Sequence, residues 1–533
     1  MFRVLVTDEV DQEGLALLAA EPLLQVDEVP TLPKDELLAR IGEYDAIVGR
    51  SATRISAELL KAGTKLKVVG RAGVGIDNIA LDVATSLGIA VINAPAGNTV
   101  AVAELFFGAT IGLLRQLPRA AEVMSNGGWD RNSFLGRELK GKTLGIVGLG
   151  RIGSEVALRA HAFGMTVVAF DPYIADERFT ALRVRRAPSL DALLAEANIL
   201  SMHVPLTDET KGMIGKRELA RLPNRSVVVN MARGGIVDEA ALLAALEGDQ
   251  LRGAVLDVFS AEPLAKDSPL RKAPNLLLLP HLGANTVEAQ RNVSRDVCLA
   301  VRDALLRNDL SKSINVAGGA GEWSDLQPAM LVARRAAAVA RAVLADQGMR
   351  AVRRVALRVS PDLAHGTGAL LAAVAAGVLE GVIETDRLNL INARSLAEAR
   401  GLELSVGESA ELGARTVEVA LAGGMQQLAV SGVAPEGSTP RLTQIGSFHI
   451  DVNPRQTLLI LTNHDVPGVI GRVGTLLGEQ SVNIAEYHQA RLAQGGDALA
   501  AVSVDGEVSE VTRKALLELP DVITASVVHF RDE

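Results

Sequence analysis

A single cysteine, Cys298, stands in a chain of 533 residues. That excludes an intramolecular disulfide and any multi-cysteine metal site, so no metal is expected and a reducing cytoplasm is the simplest home. Aromatic residues are scarce at 3%, while hydrophobic residues together reach 48%, so the cores must be aliphatic. Long apolar runs are missing too: the longest, Ala369–Leu379, falls well short of the ~18–20 residues that cross a bilayer. The first residues, Met1-Phe2-Arg3-Val4-Leu5-Val6-Thr7-Asp8, meet an acid after a short apolar stretch and do not read as a signal peptide. Nor is there a basic excess. With 54 Lys and Arg against 63 Asp and Glu, the formal net charge is −9, which argues against a general nucleic-acid surface, because such a surface needs clustered cations to displace counterions.

Glycine, by contrast, is plentiful at 50 residues, which points to turns and to places where backbone approaches a ligand closely. The length allows about three or four separate cores. Short β-branched runs at Val4–Thr7, Ala46–Gly49, Lys67–Gly70 and Ile89–Ile92 alternate with helical patterns, the rhythm of a parallel sheet with crossover helices. A second round runs through Thr143–Val147, Thr166–Phe170, Ile199–His203, Val227–Asn230, Ala254–Val258 and Leu276–Leu279. Between the two rounds, Ala101–Leu114 is apolar on nearly every face and reads as an internal helix or an oligomer contact. Ala-Gly-Gly-Ala-Gly at 317–321 reads as a joint. Strands follow near Arg354–Val359, Thr416–Leu421 and Gln427–Val430, with no catalytic constellation, and a last unit from about Gln456 reads strand, helix, strand, strand, helix, strand.

Gly148-Leu149-Gly150-Arg151-Ile152-Gly153 directly follows a strand and opens a helix expected to run to about Phe163. Alone this spacing is weak evidence, but the next strand ends in Asp171, an acid placed to accept ribose hydroxyls. Asp171 would repel a 2′-phosphate, so NAD is expected rather than NADP. Gly73-Val74-Gly75 also follows a strand, lacks the third glycine and the acid, and reads as a substrate-side loop.

Three polar residues stand just after strand ends of the second round: Arg233, Glu262 and His281. Oxidising a hydroxy acid needs a base for the hydroxyl proton, a cation for the carboxylate and a nicotinamide for the hydride. A histidine can be that base, a neighbouring glutamate favours the imidazolium, and an arginine grips a carboxylate at two points. Singly, each has a bland reading: a surface ion pair, a solvated face, a packed side chain. Arg50 and Arg71 end strands of the first round, and with the amides of Ser51, Gly73 and Val74 they would form an oxyanion cradle.

With the segment Arg71-Ala72-Gly73-Val74-Gly75-Ile76-Asp77-Asn78, these motifs give a chain that resembles the D-isomer-specific 2-hydroxyacid dehydrogenases, in particular their long forms, over nearly its whole length. The resemblance implies an α/β protein: a flavodoxin-like substrate domain (1–97 and 284–315), a Rossmann-type NAD domain (98–283), an α+β intervening domain (316–452) and a ferredoxin-like ACT domain (453–533). It implies Arg233, Glu262 and His281 as catalytic residues. It places Val74, Gly148, Gly150, Arg151, Ile152, Gly153, Asp171, His203, Val204, Pro205, Met231, Ala232, Arg233, Asp257, His281, Gly283 and Ala284 at the cofactor, and Arg50, Ser51, Arg71, Gly73 and Asn98 at the substrate. Arg131 would add a charge across a subunit boundary, and the helix carrying Phe106-Phe107 would pack against a neighbour.

The implied reaction is NAD-dependent oxidation of D-3-phosphoglycerate to 3-phosphohydroxypyruvate, at the entry to serine synthesis, by a homotetramer. Other expectations are reduction of hydroxypyruvate or glyoxylate, or an NAD-sensing binding protein without turnover. Asn463-His464-Asp465-Val466-Pro467-Gly468 and Ser481-Val482-Asn483-Ile484 carry the likeness to ACT modules. That likeness implies Asn463, Asp465 and Asn483 as contacts for L-serine, with the Asp465 carboxylate meeting the ammonium, or else a dimerisation module without ligand. Asn392-Ala393-Arg394-Ser395 and the residues that follow resemble the intervening domain, for which the sequence names no ligand.

Overall fold

Buried parallel strands need residues that are apolar on both faces, and the β-branched runs of the first 280 residues supply them. The computed structural model describes all residues except 319–324, 350, 381, 383–386 and 531–533; the expected joint at 317–321 lies partly outside them. The first sheet has five parallel strands in the order Leu24–Glu28, Phe2–Val6, Ala46–Gly49, Val68–Arg71, Ala90–Asn93. Its strand order reverses between Phe2–Val6 and Ala46–Gly49, so Asp8 and Arg50 stand at the crevice where such sheets bind ligands.

The second sheet has seven parallel strands, ordered Leu276–Leu278, Leu251–Leu256, Ser226–Asn230, Ile199–Met202, Thr143–Val147, Thr166–Phe170, Arg185–Arg186. This is the doubly wound dinucleotide order, with its switch point between Thr143–Val147 and Ile199–Met202. After His281 the chain returns to the first sheet. Helix Val287–Arg307 packs Val293, Val297, Cys298 and Val301 into one core with Val4, Val48 and Val68. Burial pushes the Cys298 thiol up to about 12, so it is an inert core residue.

Helix Thr99–Leu114 buries Phe106 and Phe107 within its own chain, Phe107 stacking on Phe163 with centroids 4.9 Å apart. These rings face inward, as the reading of an internal helix has it; Val100 is the large apolar side chain of that helix left exposed.

Two further sheets complete the fold. The third has six strands, ordered Glu403–Glu408, Arg354–Val359, Thr416–Gly423, Gln426–Val433, Arg441–Ile445, Phe448–Val452, parallel at the first pair and antiparallel beyond it. Helices Gln327–Asp346 and Thr367–Leu379 pack together beside it. By length and hydropathy the helical stretch Pro361–Leu379 suffices to cross a membrane, but 72% of its apolar window is buried inside the protein, which accounts for its composition. The fourth sheet is antiparallel, ordered Asn483–Arg491, Asp497–Asp505, Thr457–His464, Val522–His529, with helices Val469–Glu479 and Glu510–Leu517 between its strands in sequence.

Candidate active site

Strand Thr143–Val147 delivers the chain to the glycine loop at the switch point, and helix Arg151–Ala162 begins at once. Gly148 has φ of +91°, and a Cβ there would stand 2.6 Å from the His203 carbonyl oxygen. A Cβ on Gly153 would come within 2.1 Å of the Gly148 carbonyl oxygen. These two glycines let strand, loop and helix touch. Around Gly150 a Cβ would meet nothing within 4 Å, so the helix N-terminus opens onto free space where its N–H groups and dipole favour a phosphate. Arg151 is exposed at that opening, and Ile152 is half-buried against the core. The Asp171 carboxylate accepts the Leu149 N–H at 2.8 Å and the Tyr173 N–H at 2.9 Å, which ties the glycine loop to the next strand end and leaves lone pairs for ribose hydroxyls. These residues fit a dinucleotide.

His203 follows strand Ile199–Met202, with Nε2 2.9 Å from Ser201 Oγ and its ring edge-on to Phe106. Burial pulls it from 6.5 down to about 4. It is therefore neutral at physiological pH and adds no charge for a phosphate. Val204 packs beside Gly148, and the Pro205 carbonyl accepts the Thr210 hydroxyl at 2.6 Å.

Two loops of the second sheet bring Glu262 and His281 together: Glu262 Oε2 lies 2.7 Å from His281 Nδ1. The other carboxylate oxygen accepts the Phe259 N–H at 3.0 Å, which fixes its direction. His281 sits at φ +56°, and the following residues are held by buried Asp257, whose carboxylate accepts the Leu282 and Gly283 N–H groups at 2.7 and 2.8 Å. Burial raises the Asp257 carboxyl, with those two N–H bonds pulling it back. The Ala284 carbonyl is capped by the Gln290 amide at 2.6 Å. With Nδ1 on Glu262, Nε2 is the nitrogen left to exchange a proton.

Asn230, a residue given no role by the motifs, brackets the arginine turn: its side chain accepts the Ala232 N–H at 3.1 Å and donates to the Arg233 carbonyl at 2.9 Å, over buried Met231. Arg233 donates Nη1 to the Ala232 carbonyl at 2.6 Å and Nε to Asp77 at 3.1 Å.

Asp8 is likewise absent from any motif, yet it organises the anion side. Its carboxylate accepts the Arg50 N–H at 2.9 Å, the Thr53 N–H at 2.8 Å and the Thr53 hydroxyl at 2.6 Å. Burial pushes its carboxyl up, and the bonds from Thr53, Thr31 and Arg50 outweigh that and hold it below the usual range. Arg71 is pushed down to about 10, first by burial and then by the nearby Arg50 and Arg233. Cations gathered in this way favour an anion between them. Asn98, just before helix Thr99–Leu114, has a buried side-chain oxygen with no hydrogen-bond partner among the described residues. Ser51 shares a cavity with Glu262 and His281.

The expected amide cradle needs correction at Gly73: its N–H already donates to the Arg71 carbonyl at 2.7 Å. The Val74 carbonyl accepts the Asn93 amide at 2.6 Å. Arg131 is exposed, and among the described residues its side chain makes no hydrogen bond or ion pair with the site residues.

Residues 107–283 match the D-isomer specific 2-hydroxyacid dehydrogenase, NAD binding domain. The chain is 37% identical to the D-3-phosphoglycerate dehydrogenase of Bacillus subtilis, over 99% of both chains. It is also 37% identical to that of Synechocystis, over 97% of this chain and 93% of the relative. The chain belongs to the D-3-phosphoglycerate dehydrogenases. Among solved structures, D-lactate dehydrogenase from Aquifex aeolicus, complexed with NAD and lactic acid, is 29% identical with a TM-score of 0.51, covering 58% of this chain and 97% of its own. That share is the length of the two parallel-sheet units, so the third and fourth sheets are what the D-3-phosphoglycerate dehydrogenases of this length add to such a core.

In the fourth sheet Asn463 is buried, its Nδ2 on the His464 carbonyl at 2.8 Å and its Oδ1 without a partner among the described residues. The Arg491 guanidinium, 3.0 Å away, holds the Asp465 carboxyl below its usual range, so the expected ammonium partner already carries a cation. Asn483 donates to Asp505 at 2.7 Å. Asn463 pairs with Ala498 and Asn483 with Asp505, at opposite ends of the strand Asp497–Asp505, roughly 23 Å apart at the rise of a strand. One chain does not bring the expected effector residues together.

Proposed function

We propose that this chain oxidises D-3-phosphoglycerate to 3-phosphohydroxypyruvate with NAD, the first step of the phosphorylated route to L-serine. The observation that carries the reading is the 2.7 Å Glu262–His281 pair, which shares a cavity with Ser51, the neighbour in sequence of Arg50, itself gathered with Arg71 and Arg233 in one cluster of cations. NAD, held by the Gly148–Gly153 loop and Asp171, supplies the hydride acceptor. His281 Nε2 takes the C2 hydroxyl proton as the C2 hydride leaves, and the carbonyl forms. Glu262 favours the imidazolium so produced. Arg233 grips the carboxylate and fixes C2 toward the nicotinamide, while Arg50, Arg71, Ser51 and Asn98 take the remaining anionic end.

L-serine acts on residues 453–533 as a feedback inhibitor in this proposal. Asn463 and Asp465 of one chain would meet Asn483 of a second copy, because a single chain holds them apart. That requires a homo-oligomer, a tetramer by family resemblance.

Mixing the protein with D-3-phosphoglycerate and NAD and following NADH absorbance tests the activity. Arg71→Ala should raise KM for the phosphorylated acid by at least ~10-fold, as expected when a charge-assisted contact is lost. Turnover of hydroxypyruvate or glyoxylate without any of D-3-phosphoglycerate would overturn the proposed substrate.

A further inference from the structure

Arg233 has to cross from the second sheet toward a substrate whose other end is held by the first. Its side chain is fixed at two points. Nη1 donates to its own loop at the Ala232 carbonyl, and Nε donates to Asp77 Oδ2 at 3.1 Å. Asp77 belongs to the loop after strand Val68–Arg71, and among the described residues this is the one ion pair that joins residues 1–97 or 284–315 to residues 98–283. Gly75 makes room for it: a Cβ there would stand 2.3 Å from Arg233 Nη2 and 2.9 Å from Asp77 Oδ2. Asp77 also faces Arg71, the neighbouring cation of the anion cluster. Its side chain is 66% exposed, so it is not held there by packing.

We propose that Asp77 is a positioning residue for the reaction, holding Arg233 by Nε so that Nη2 and the second Nη1 hydrogen form the two-point grip on the substrate carboxylate. The inference rests on the activity proposed above. Two separable consequences follow from the chemistry of the contact. The hydrogen bond orients the guanidinium and serves turnover, because an arginine free to rotate no longer fixes C2 against the nicotinamide. The negative charge repels an anionic substrate at this short range and so weakens its binding. An amide keeps the acceptor oxygen but loses the charge.

The test is Asp77→Ala and Asp77→Asn in the full-length protein, with kcat, KM for D-3-phosphoglycerate, calorimetric D-3-phosphoglycerate binding and thermal stability measured for each. For Asp77→Ala, kcat should fall about 10-fold while KM and the calorimetric Kd fall roughly 2–3-fold. Asp77→Asn should recover most of kcat yet keep the lowered KM and Kd. A purely structural role would lower kcat and stability together, without the opposite movement of KM and without rescue by the amide. That result, or wild-type constants in Asp77→Ala, overturns the inference. Failure of the wild type itself to oxidise D-3-phosphoglycerate would instead overturn the proposed substrate, and the same split would then be read on the acid that does turn over.

Discussion

A buried histidine with no charged partner sets an acid limit on the stability of the nucleotide fold. His203 is held neutral, its value lowered from 6.5 to about 4. The unfolded chain therefore takes up this proton first as pH falls. The stability this residue contributes is complete above pH 6.5 and is lost as pH falls through about 4. The loss approaches ~1.4 kcal/mol per pH unit in that window. Urea denaturation between pH 7 and pH 4 should show that slope, and His203→Gln should flatten it; an equal slope in the variant would assign the acid sensitivity to other groups. Glu262→Gln tests another single-residue effect. Its carboxylate is pinned by the Phe259 N–H and reaches His281 Nδ1 at 2.7 Å, so the amide preserves shape while removing the charge that favours the imidazolium. The expected loss is about 10²-fold in kcat with KM for NAD unchanged, measured by steady-state kinetics.

At the scale of elements, the join of strand, loop and helix tolerates no added methyl at Gly148 or Gly153. In Gly153→Ala the new carbon would meet the Gly148 carbonyl oxygen at 2.1 Å, backbone against backbone, and no side-chain rotation can relieve it. The helix Arg151–Ala162 must then shift, which moves the N–H groups that face the open space near Gly150. NAD affinity should fall at least ~10-fold along with a lower melting temperature, as for other overpacking changes, measured by fluorescence titration and thermal scanning. Gly150→Ala, whose Cβ meets no protein atom, should leave stability unchanged and weaken NAD alone. Elements of this kind were readable in the sequence because a strand buried on both faces must be a continuous β-branched run: Ser226–Asn230 is buried at every residue. Strand Leu24–Glu28 at the sheet edge, LQVDE, and Glu403–Glu408 at another edge, ELSVGE, were not readable, since a half-exposed edge looks like a polar loop. The candidate catalytic residues stood out because strand ends in a doubly wound sheet are few. Asp8, Asp77 and Asn230 escaped because they act through backbone groups or through another side chain, and no spacing announces that. The one usable signal was an acid directly after the strand Phe2–Val6, at the first sheet's switch point.

Across the whole molecule, the C-terminal sheets are not appended loosely. One aliphatic core runs from Val4 and Val48 through Leu326, Met330 and Val332 to Val419, Leu458 and Phe530. Helix Gln327–Asp346 ties the last two sheets together: Arg335 bonds the Pro454 carbonyl and lies 5.1 Å from the centre of the Phe530 ring, and Asp346 pairs with Arg513 at 3.6 Å. From the third sheet's side, Arg387 donates to the Gly63 carbonyl at 2.7 Å and Asn389 to the Gly88 carbonyl at 2.7 Å. Both acceptors stand just past helix ends of the first unit, Ala57–Ala62 and Leu81–Ser86, and the Gly63 carbonyl also accepts the Leu66 N–H at 3.0 Å. That unit carries Arg50 and Arg71. A rearrangement in the fourth sheet thus has a contiguous packed route to Arg50 and Arg71, with hydrogen bonds from Arg387 to the Gly63 and Thr64 carbonyls and from Asn389 to the Gly88 carbonyl along it. Coupling between an effector and an active site amounts to about 1–3 kcal/mol, the size of two such hydrogen bonds to carbonyls. With L-serine as the proposed effector, the double variant Arg387→Ala, Asn389→Ala should still show the same rise in melting temperature on serine addition as the wild type, because the proposed contacts Asn463, Asp465 and Asn483 are untouched. Its half-inhibitory serine concentration should rise at least ~5-fold, or inhibition should become partial. Inhibition that stays at the wild-type level would show that the signal travels instead between subunits, outside these contacts.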